Sequence, residues 1–323
     1  MAGNVDPMVT VIILGINDTI RQLAHLGHMN HTKSTLSLGI ITIATGKYYE
    51  EFIPALKDSA DQYFDSTQFK VQFYCFTDVA QVRDDIVRIP IIHLAWPFST
   101  LMRFYWIGQH LEALLKNDFL LYMDADMKIV QAVPREIFLH DLIAVQHPGY
   151  LSASPAFEVD RQESSYVAPQ LRKTYYQGCF WGGTANSFAQ LIRSLSAQVE
   201  LDLKKAAIPI WHDESYLNFY MSTRNCYPLP PTYAWPQGDA LEGNKPYVLH
   251  LEKPHNQIRQ IDEEFLNTQA ILSTDSAEQL ELYKKLYLIS HEKCQRLEAR
   301  LVQKHYWWHQ LRERLAFYKK KIK

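Results

Sequence analysis

Five short runs rich in β-branched and aromatic residues constrain the fold of this chain most: 38-LGIITIAT-45, 71-VQFYCFT-77, 86-IVRIPIIHLA-95, 119-FLLYM-123 and 142-LIAVQ-146. They are nearly continuous in apolar residues rather than alternating, so each predicts a strand covered on both faces. Between them, Tyr48 to Phe64 and Thr100 to Lys116 carry apolar residues at helical spacing. Strand, helix, strand alternation predicts an α/β domain with a largely parallel sheet. Ligands of such sheets bind just past the carboxyl ends of the strands, so the residues following these runs come first.

Charge and cysteine content narrow the function classes. The 33 Lys+Arg and 35 Asp+Glu leave a formal charge of −2, which excludes the basic excess of a protein that grips nucleic-acid backbone. Cys75, Cys179, Cys226 and Cys294 form no C-x-x-C pair, which argues against a zinc ribbon or a dense disulfide framework and for a reducing compartment. The longest early apolar run, Val9 to Ile16, has eight residues, and no Lys or Arg precedes it as in a signal peptide. Spanning a bilayer takes roughly 20. A cytoplasmic location is therefore expected.

The end of the chain differs from the rest. From Ile271 onward there are 12 Lys+Arg and 6 Asp+Glu, against 21 and 29 in residues 1–270. A seven-residue repeat also begins there, with Leu280, Tyr287, Cys294, Leu301, Trp308, Leu315 and Ile322 in one series and Tyr283, Ser290, Leu297, Lys304, Leu311 and Tyr318 in the other. The pattern predicts one long helix with a self-associating seam through 280–322, and hence a homo-oligomer; the alternative is a single amphipathic helix packed on the domain. Residues 304–323 interleave seven Lys+Arg with Tyr306, Trp307, Trp308 and Phe317. That mixture fits peripheral contact with the inner membrane face, the alternative being a solvated helical face. The expected organisation is an N-terminal extension over 1–37, a catalytic domain over 38–270 and a helical tail over 271–323.

Two motifs carry chemistry. Asp124-Ala125-Asp126 follows the apolar run 119–123 directly. Two carboxylates at a strand end can hold Mn²⁺ or Mg²⁺ with a nucleotide diphosphate, because these ions prefer hard oxygen ligands and neutralise the phosphates. Alone, such a pair also reads as a solvated turn. The run 211-WHDESYLN-218 sets an indole, an imidazole and two carboxylates side by side at a helix start. The helix dipole favours Asp213 and Glu214 there, but does not account for Trp211 and His212. A sugar-binding reading does: Trp211 offers an apolar face, and Glu214 a carboxylate for an oxocarbenium-like transition state.

Asp124-Ala125-Asp126, 146-QHPGY-150, 175-YYQGCFWGG-183 and 211-WHDESYLN-218, in this order and spacing, resemble glycosyltransferase family 6 over about Leu38 to Gln260. The resemblance implies a Rossmann-like nucleotide-sugar-binding fold of the GT-A type. It also implies retaining transfer of galactose or N-acetylgalactosamine from a UDP-sugar to the 3-hydroxyl of a β-galactoside, with fucosylated, H-antigen-like acceptors included. By position, Asp124 and Asp126 would hold Mn²⁺, or Mg²⁺, and the diphosphate, Asp126 more directly. Tyr48 would stack on uracil, and Arg103 and Asp213 would contact the donor. Lys253 and Arg259, in 253-KPHNQIR-259, would close over the diphosphate. His147 and Trp211 would bind the acceptor, and Glu214 would be both acceptor contact and catalytic carboxylate, as nucleophile or as electrostatic stabiliser.

Gln177 and Cys179 fall where mammalian family members choose between donors, and Cys179 is expected to pack rather than to act as a thiol. Many bacterial members replace the two aspartates with asparagines and need no metal; this chain keeps both, so metal dependence is expected. The rival reading is a carbohydrate-binding or scaffold protein on the same fold, which has no need of Asp124, Asp126 and Glu214 together.

Overall fold

The computed structural model describes residues 35–94, 98–151, 155–161, 163–205, 207–209, 211–239 and 245–253. Most of the expected N-terminal extension, Arg259 and the heptad tail with Cys294 lie outside the described residues.

The first unit is β1 (Leu36–Ile43), α1 (Lys47–Tyr63) and β2 (Phe69–Thr77), a right-sized crossover that lays β2 parallel to β1. The chain leaves β1 through Gly46, whose φ of 57° suits a residue without Cβ and whose amide donates to Asp78 Oδ1 at 2.9 Å. β3 (Val87–Pro90) extends the parallel set on one side and β4 (Phe119–Met123) on the other. β5 (Met127–Ile129) and β6 (Leu142–Gln146) follow. Next come β7 (Tyr176–Thr184), β8 (Tyr227–Leu229), β9 (Trp235–Pro236) and β10 (Val248–His250). Among the described residues the main sheet has seven strands in the order β3-β2-β1-β4-β7-β6-β8. A small second sheet, β5-β10-β9, continues from the end of β4.

Successive residues of the central strands enter opposite cores, as the two-residue period of a strand requires. Leu38, Ile40, Phe73, Cys75, Phe119 and Leu121 pack with Tyr49, Phe52, Ile53 and Leu56 of α1. Ile41, Tyr74, Phe76, Leu120 and Tyr122 face the other way. There they meet α3 (Arg103–Gln109), α5 (Ala185–Lys204) and α6 (His212–Ser222). This double coverage is why the strands read as unbroken apolar runs.

The largely parallel sheet is borne out, six of its seven strands sharing one direction. The structure departs from the sequence reading at three places, the first being β7, which runs antiparallel to both β4 and β6. β7 is rich in glycine, which conceals a strand from pattern reading, yet Gly182 and Gly183 are what allow it between its neighbours. A Cβ on Gly182 would stand 2.4 Å from Leu120 O, and one on Gly183 2.5 Å from Asp141 O. The run 86–95 forms a strand only to Pro90, which has no amide to continue a ladder. The helical stretch 100–116 is broken into α2 (Phe98–Leu101), α3 and α4 (Leu111–Leu114), because ψ opens to 0° at Met102 and 12° at His110. Among the described residues, no helix is long and apolar enough to cross a membrane.

Candidate active site

A cleft of about 640 Å³ opens at the carboxyl ends of β1 and β4, where α/β sheets place their ligands. β4 delivers Asp124 into it, and the Asp124 amide donates to Cys179 O of β7 at 2.9 Å. Because β7 is antiparallel, its beginning lies beside the end of β4, and Gln177, Gly178 and Cys179 reach the same cleft. Asn218 of α6 then fixes the third wall: its side chain accepts from Tyr176 N and donates to Tyr176 O, each at 2.8 Å. That clamp brings Trp211, His212, Asp213 and Glu214 at the start of α6 over Gly178. His212 has φ 48°, the only positive φ outside glycine among the described residues. Strain of this kind is held only where the surroundings enforce it.

Arg103 ties the two motifs together from beneath. Its Nη2 lies 3.3 Å from Asp124 Oδ1 and its Nη1 3.1 Å from Asp213 Oδ2. Nη1 also donates to Gly178 O at 2.7 Å and Nε to Thr100 O at 3.2 Å, while the guanidinium lies over the Tyr122 ring. The Tyr122 hydroxyl in turn donates to Asp124 Oδ1 at 2.9 Å. Burial works against charge on Arg103, but Asp213, Tyr122 and Asp124 outweigh it and raise its pKa. Burial raises Asp213 in the opposite sense, with Arg103 pulling it back.

Glu214 is set apart from this pair. Its Oε2 accepts from the Gly178 amide at 2.8 Å. Burial pushes its carboxyl up to about 7, against the downward pull of the Gly178 amide and the neighbouring Tyr175 hydroxyl. Asp213 and Glu214 are thus adjacent carboxyls with distinct surroundings, the usual origin of divided roles. Trp211, by contrast, is 41% exposed at the rim, an unusual position for an indole and one suited to the apolar face of a sugar.

The opposite wall comes from the small sheet. β10 pairs antiparallel with β5 so that His250 sits across from Met127, the residue after Asp126. His250 Nε2 lies 3.3 Å from Asp126 Oδ2, and Lys253 Nζ contacts the same oxygen. Burial would raise the Asp126 pKa, but His250 and Lys253 reverse it and hold the carboxyl well below the usual range. Asp124, Asp126 and His250 offer ligand atoms all within 4.8 Å of one another, a donor set that fits a divalent cation. Lys253 Nζ also lies 5.6 Å from the Tyr48 ring centroid, so Tyr48 of α1 completes this end.

The fold therefore brings together Tyr48, Arg103, Asp124, Asp126, Gln177, Cys179, Trp211, Asp213, Glu214 and Lys253. Cys179 is buried and burial drives its thiol pKa far up, consistent with packing and not with nucleophilic chemistry. His147 does not line the cleft itself. Its Nδ1 accepts from the Gly149 amide at 3.0 Å, and its ring packs 4.8 Å from Tyr150 and 6.0 Å from Tyr175. Sequence reasoning missed His250, Tyr122, Tyr175, Gly178 and Asn218. His250 stands three residues before Lys253, and Asn218 closes the 211–218 motif, so both lay within reach of segments already singled out.

An α/β fold with an acidic pair, a further buried carboxyl and an exposed indole in one cleft suits a glycosyltransferase. The chain belongs to glycosyltransferase family 6, whose family model matches residues 22–260 and so extends upstream of Leu38. It is similar to the O-antigen biosynthesis glycosyltransferase WbnI of Escherichia coli, at 32% identity over 62% of this chain and 88% of the relative. It is 30% identical to the histo-blood group ABO system transferase 2 of Rattus norvegicus, over 61% of this chain and 63% of the rat protein. The alpha-1,3-galactosyltransferase 2 of Homo sapiens is 22% identical over 70% of this chain and 71% of the human protein.

Proposed function

We propose that the chain has a GT-A fold and transfers galactose or N-acetylgalactosamine from a UDP-sugar, with retention, in α1,3 linkage to a β-galactoside, fucosylated acceptors included. The observation that carries this reading is the division of carboxyl groups. Asp124 and Asp213 are paired through Arg103, whereas Glu214 is held apart with a pKa of about 7. A binding module has no use for that separation, which argues against a non-catalytic scaffold.

Asp124 and Asp126 hold Mn²⁺, or Mg²⁺, which supplies charge neutralisation for the diphosphate when bound. Tyr48 stacks on the uracil ring, and Arg103 and Asp213 orient the donor sugar. Gln177 and Cys179 border the substituent that separates the two donors. Lys253, with Arg259 beyond the described residues, binds the diphosphate and stabilises the negative charge that develops on leaving UDP. Trp211 and His147 position the acceptor galactose, His147 acting through the aromatic group of Tyr150 and Tyr175 beside the cleft. The bond from the anomeric carbon to UDP breaks with its electron pair on the phosphate oxygen, and the acceptor 3-oxygen forms the new bond as its proton passes to that departing phosphate oxygen. Glu214, as carboxylate, either forms a transient glycosyl ester or stabilises the cationic sugar; both routes give retention.

The test is UDP release from UDP-galactose and from UDP-N-acetylgalactosamine with 2′-fucosyllactose as acceptor, in Mn²⁺ and in chelator. Acceptor-stimulated, metal-dependent release with one donor is expected. UDP binding without release from either donor would overturn this choice of donor and acceptor.

We also assign residues 38–270 to the catalytic unit and 271–323 to a helical tail that associates through 280–322 and contacts a membrane surface through 304–323, at the cytoplasmic side. The seven-residue repeat supports the first and the basic-aromatic composition the second. Deleting 271–323 should lower the mass seen by light scattering; an unchanged mass would remove the self-association.

A further inference from the structure

We propose that His250 is a third protein ligand of the divalent cation, bound through Nε2, and that Gln177 is the positioning residue that orients it. The inference rests on the reading that Asp124 and Asp126 hold a metal, and it deepens that site.

The first observation is placement. The β5-β10 register sets His250 opposite the residue after Asp126, and the Leu251 amide donates to Asp126 O at 2.8 Å. His250 is thus carried by a ladder and not by a free loop. Its Nε2 faces Asp126 Oδ2 at 3.3 Å, and the three ligand atoms fit within 4.8 Å.

The second observation is an orphan. The other ring nitrogen, His250 Nδ1, lies 3.2 Å from Gln177 Nε2, while Gln177 Oε1 is buried and has no hydrogen-bond partner. A buried carbonyl oxygen left unpaired is costly, so its presence at the edge of the cleft calls for a function. Metal ligation supplies one. An imidazole that ligates through Nε2 carries its proton on Nδ1 and must donate it, commonly to a carbonyl oxygen. Half a turn of the Gln177 amide brings Oε1 to Nδ1–H and pairs the orphaned oxygen. Without the cation, Nδ1 accepts from the amide and the ring proton sits on Nε2 against Asp126. The two amide orientations therefore report the two states of the metal site. A nitrogen ligand beside two carboxylates also tilts the site from Mg²⁺ toward Mn²⁺.

The experiment is electron spin-echo spectroscopy of Mn²⁺ on the full-length chain, with and without UDP, together with Mn²⁺ titration. Imidazole nitrogen modulation is expected in the unaltered protein and should vanish in His250→Asn, with Mn²⁺ affinity down about tenfold or more. Gln177→Leu should weaken Mn²⁺ by a similar order, whereas Gln177→Glu, which can only accept, should hold it. Thermal unfolding confirms that each variant is folded. Nitrogen modulation absent from the unaltered protein, or Gln177→Glu as weak as Gln177→Leu, would overturn the respective half of the inference. Asp126→Asn separates the levels. If it abolishes Mn²⁺ binding and His250→Asn does not, only the third ligand fails; if neither changes binding, the metal reading fails as well.

Discussion

The two walls of the cleft are built differently. The wall made by β4, β7 and α6 is braced throughout: Arg103 holds Asp124, Asp213 and Gly178 at once, and Asn218 locks α6 to β7 by two hydrogen bonds. The wall made by the small sheet rests on three-residue and two-residue strands and meets the first wall chiefly through charges on Asp126. A wall that must orient reacting atoms gains from being fixed before substrate arrives. A wall that must receive a cation and a diphosphate needs contacts that those ligands can replace. Lys253, an ammonium resting on Asp126, is such a contact.

Breaking the braced wall should have the larger effects. Glu214→Gln should cost at least about 10²-fold in kcat while leaving UDP affinity nearly unchanged, as measured by UDP release and titration calorimetry. The same residue yields a pH dependence. If its carboxylate is the working form, transfer should rise as pH increases through about 7. Its folded pKa lies above the ordinary 4.5, so the stability it contributes is complete below pH 4.5 and lost as pH climbs through about 7. Glu214→Gln does not titrate. Its Tm relative to the parent should therefore be highest above pH 7, and the gap should close near pH 4.5 in a melting series.

Arg103→Met comes next. It leaves the buried Asp213 and the half-buried Asp124 without their shared partner, and removal of one member of a buried group of this kind typically costs about 3–5 kcal/mol. A lower denaturation midpoint together with loss of transfer is the expected result.

The displaceable wall should respond more mildly and in two directions. Lys253→Met should raise KM for the UDP-sugar, by about tenfold for one lost charge-assisted phosphate contact. It should also tighten Mn²⁺ measured without nucleotide, because Asp126 no longer has an internal cation. A fall in Mn²⁺ affinity would show that the lysine supports the site instead of competing for it. Tyr48→Ala should have the smallest effect, about 1 kcal/mol in UDP affinity by calorimetry, the lower end of the range for a base stacked on an aromatic ring.

The braced wall was also the more legible in the sequence. Strands covered on both faces announce themselves as apolar runs, and 119-FLLYM-123 pointed directly to Asp124 and Asp126. The 211–218 motif was visible because Trp211 and His212 have no purpose in a plain helix start. What was hidden depends on contacts distant in sequence. β7 escaped notice as a strand because Gly182 and Gly183 answer to the backbone of Leu120 and Asp141, neither of which is adjacent in the chain. The helix break at Met102 aims Arg103 at two motifs that it does not resemble. His250 gains its meaning only from the register that sets β10 against β5. His147 illustrates the converse: the turn after β6 was readable, but its packing against Tyr150 and Tyr175 beside the cleft was not.

The glycine-rich strand has a consequence for how such a protein changes over generations. β7 is paired with β4 from Phe180 to Thr184, whereas its ladder with β6 shifts register between Ala144 and Gln146, so Gln177, Gly178 and Cys179 sit where the pairing is interrupted. A Cβ at residue 178 would come within 3.2 Å of Asp213 Oδ2, so a side chain there requires that carboxylate to shift. On the function proposed above, a change of sugar preference would fall on the two positions flanking Gly178, and Glu214 would keep its amide partner whichever sugar is chosen.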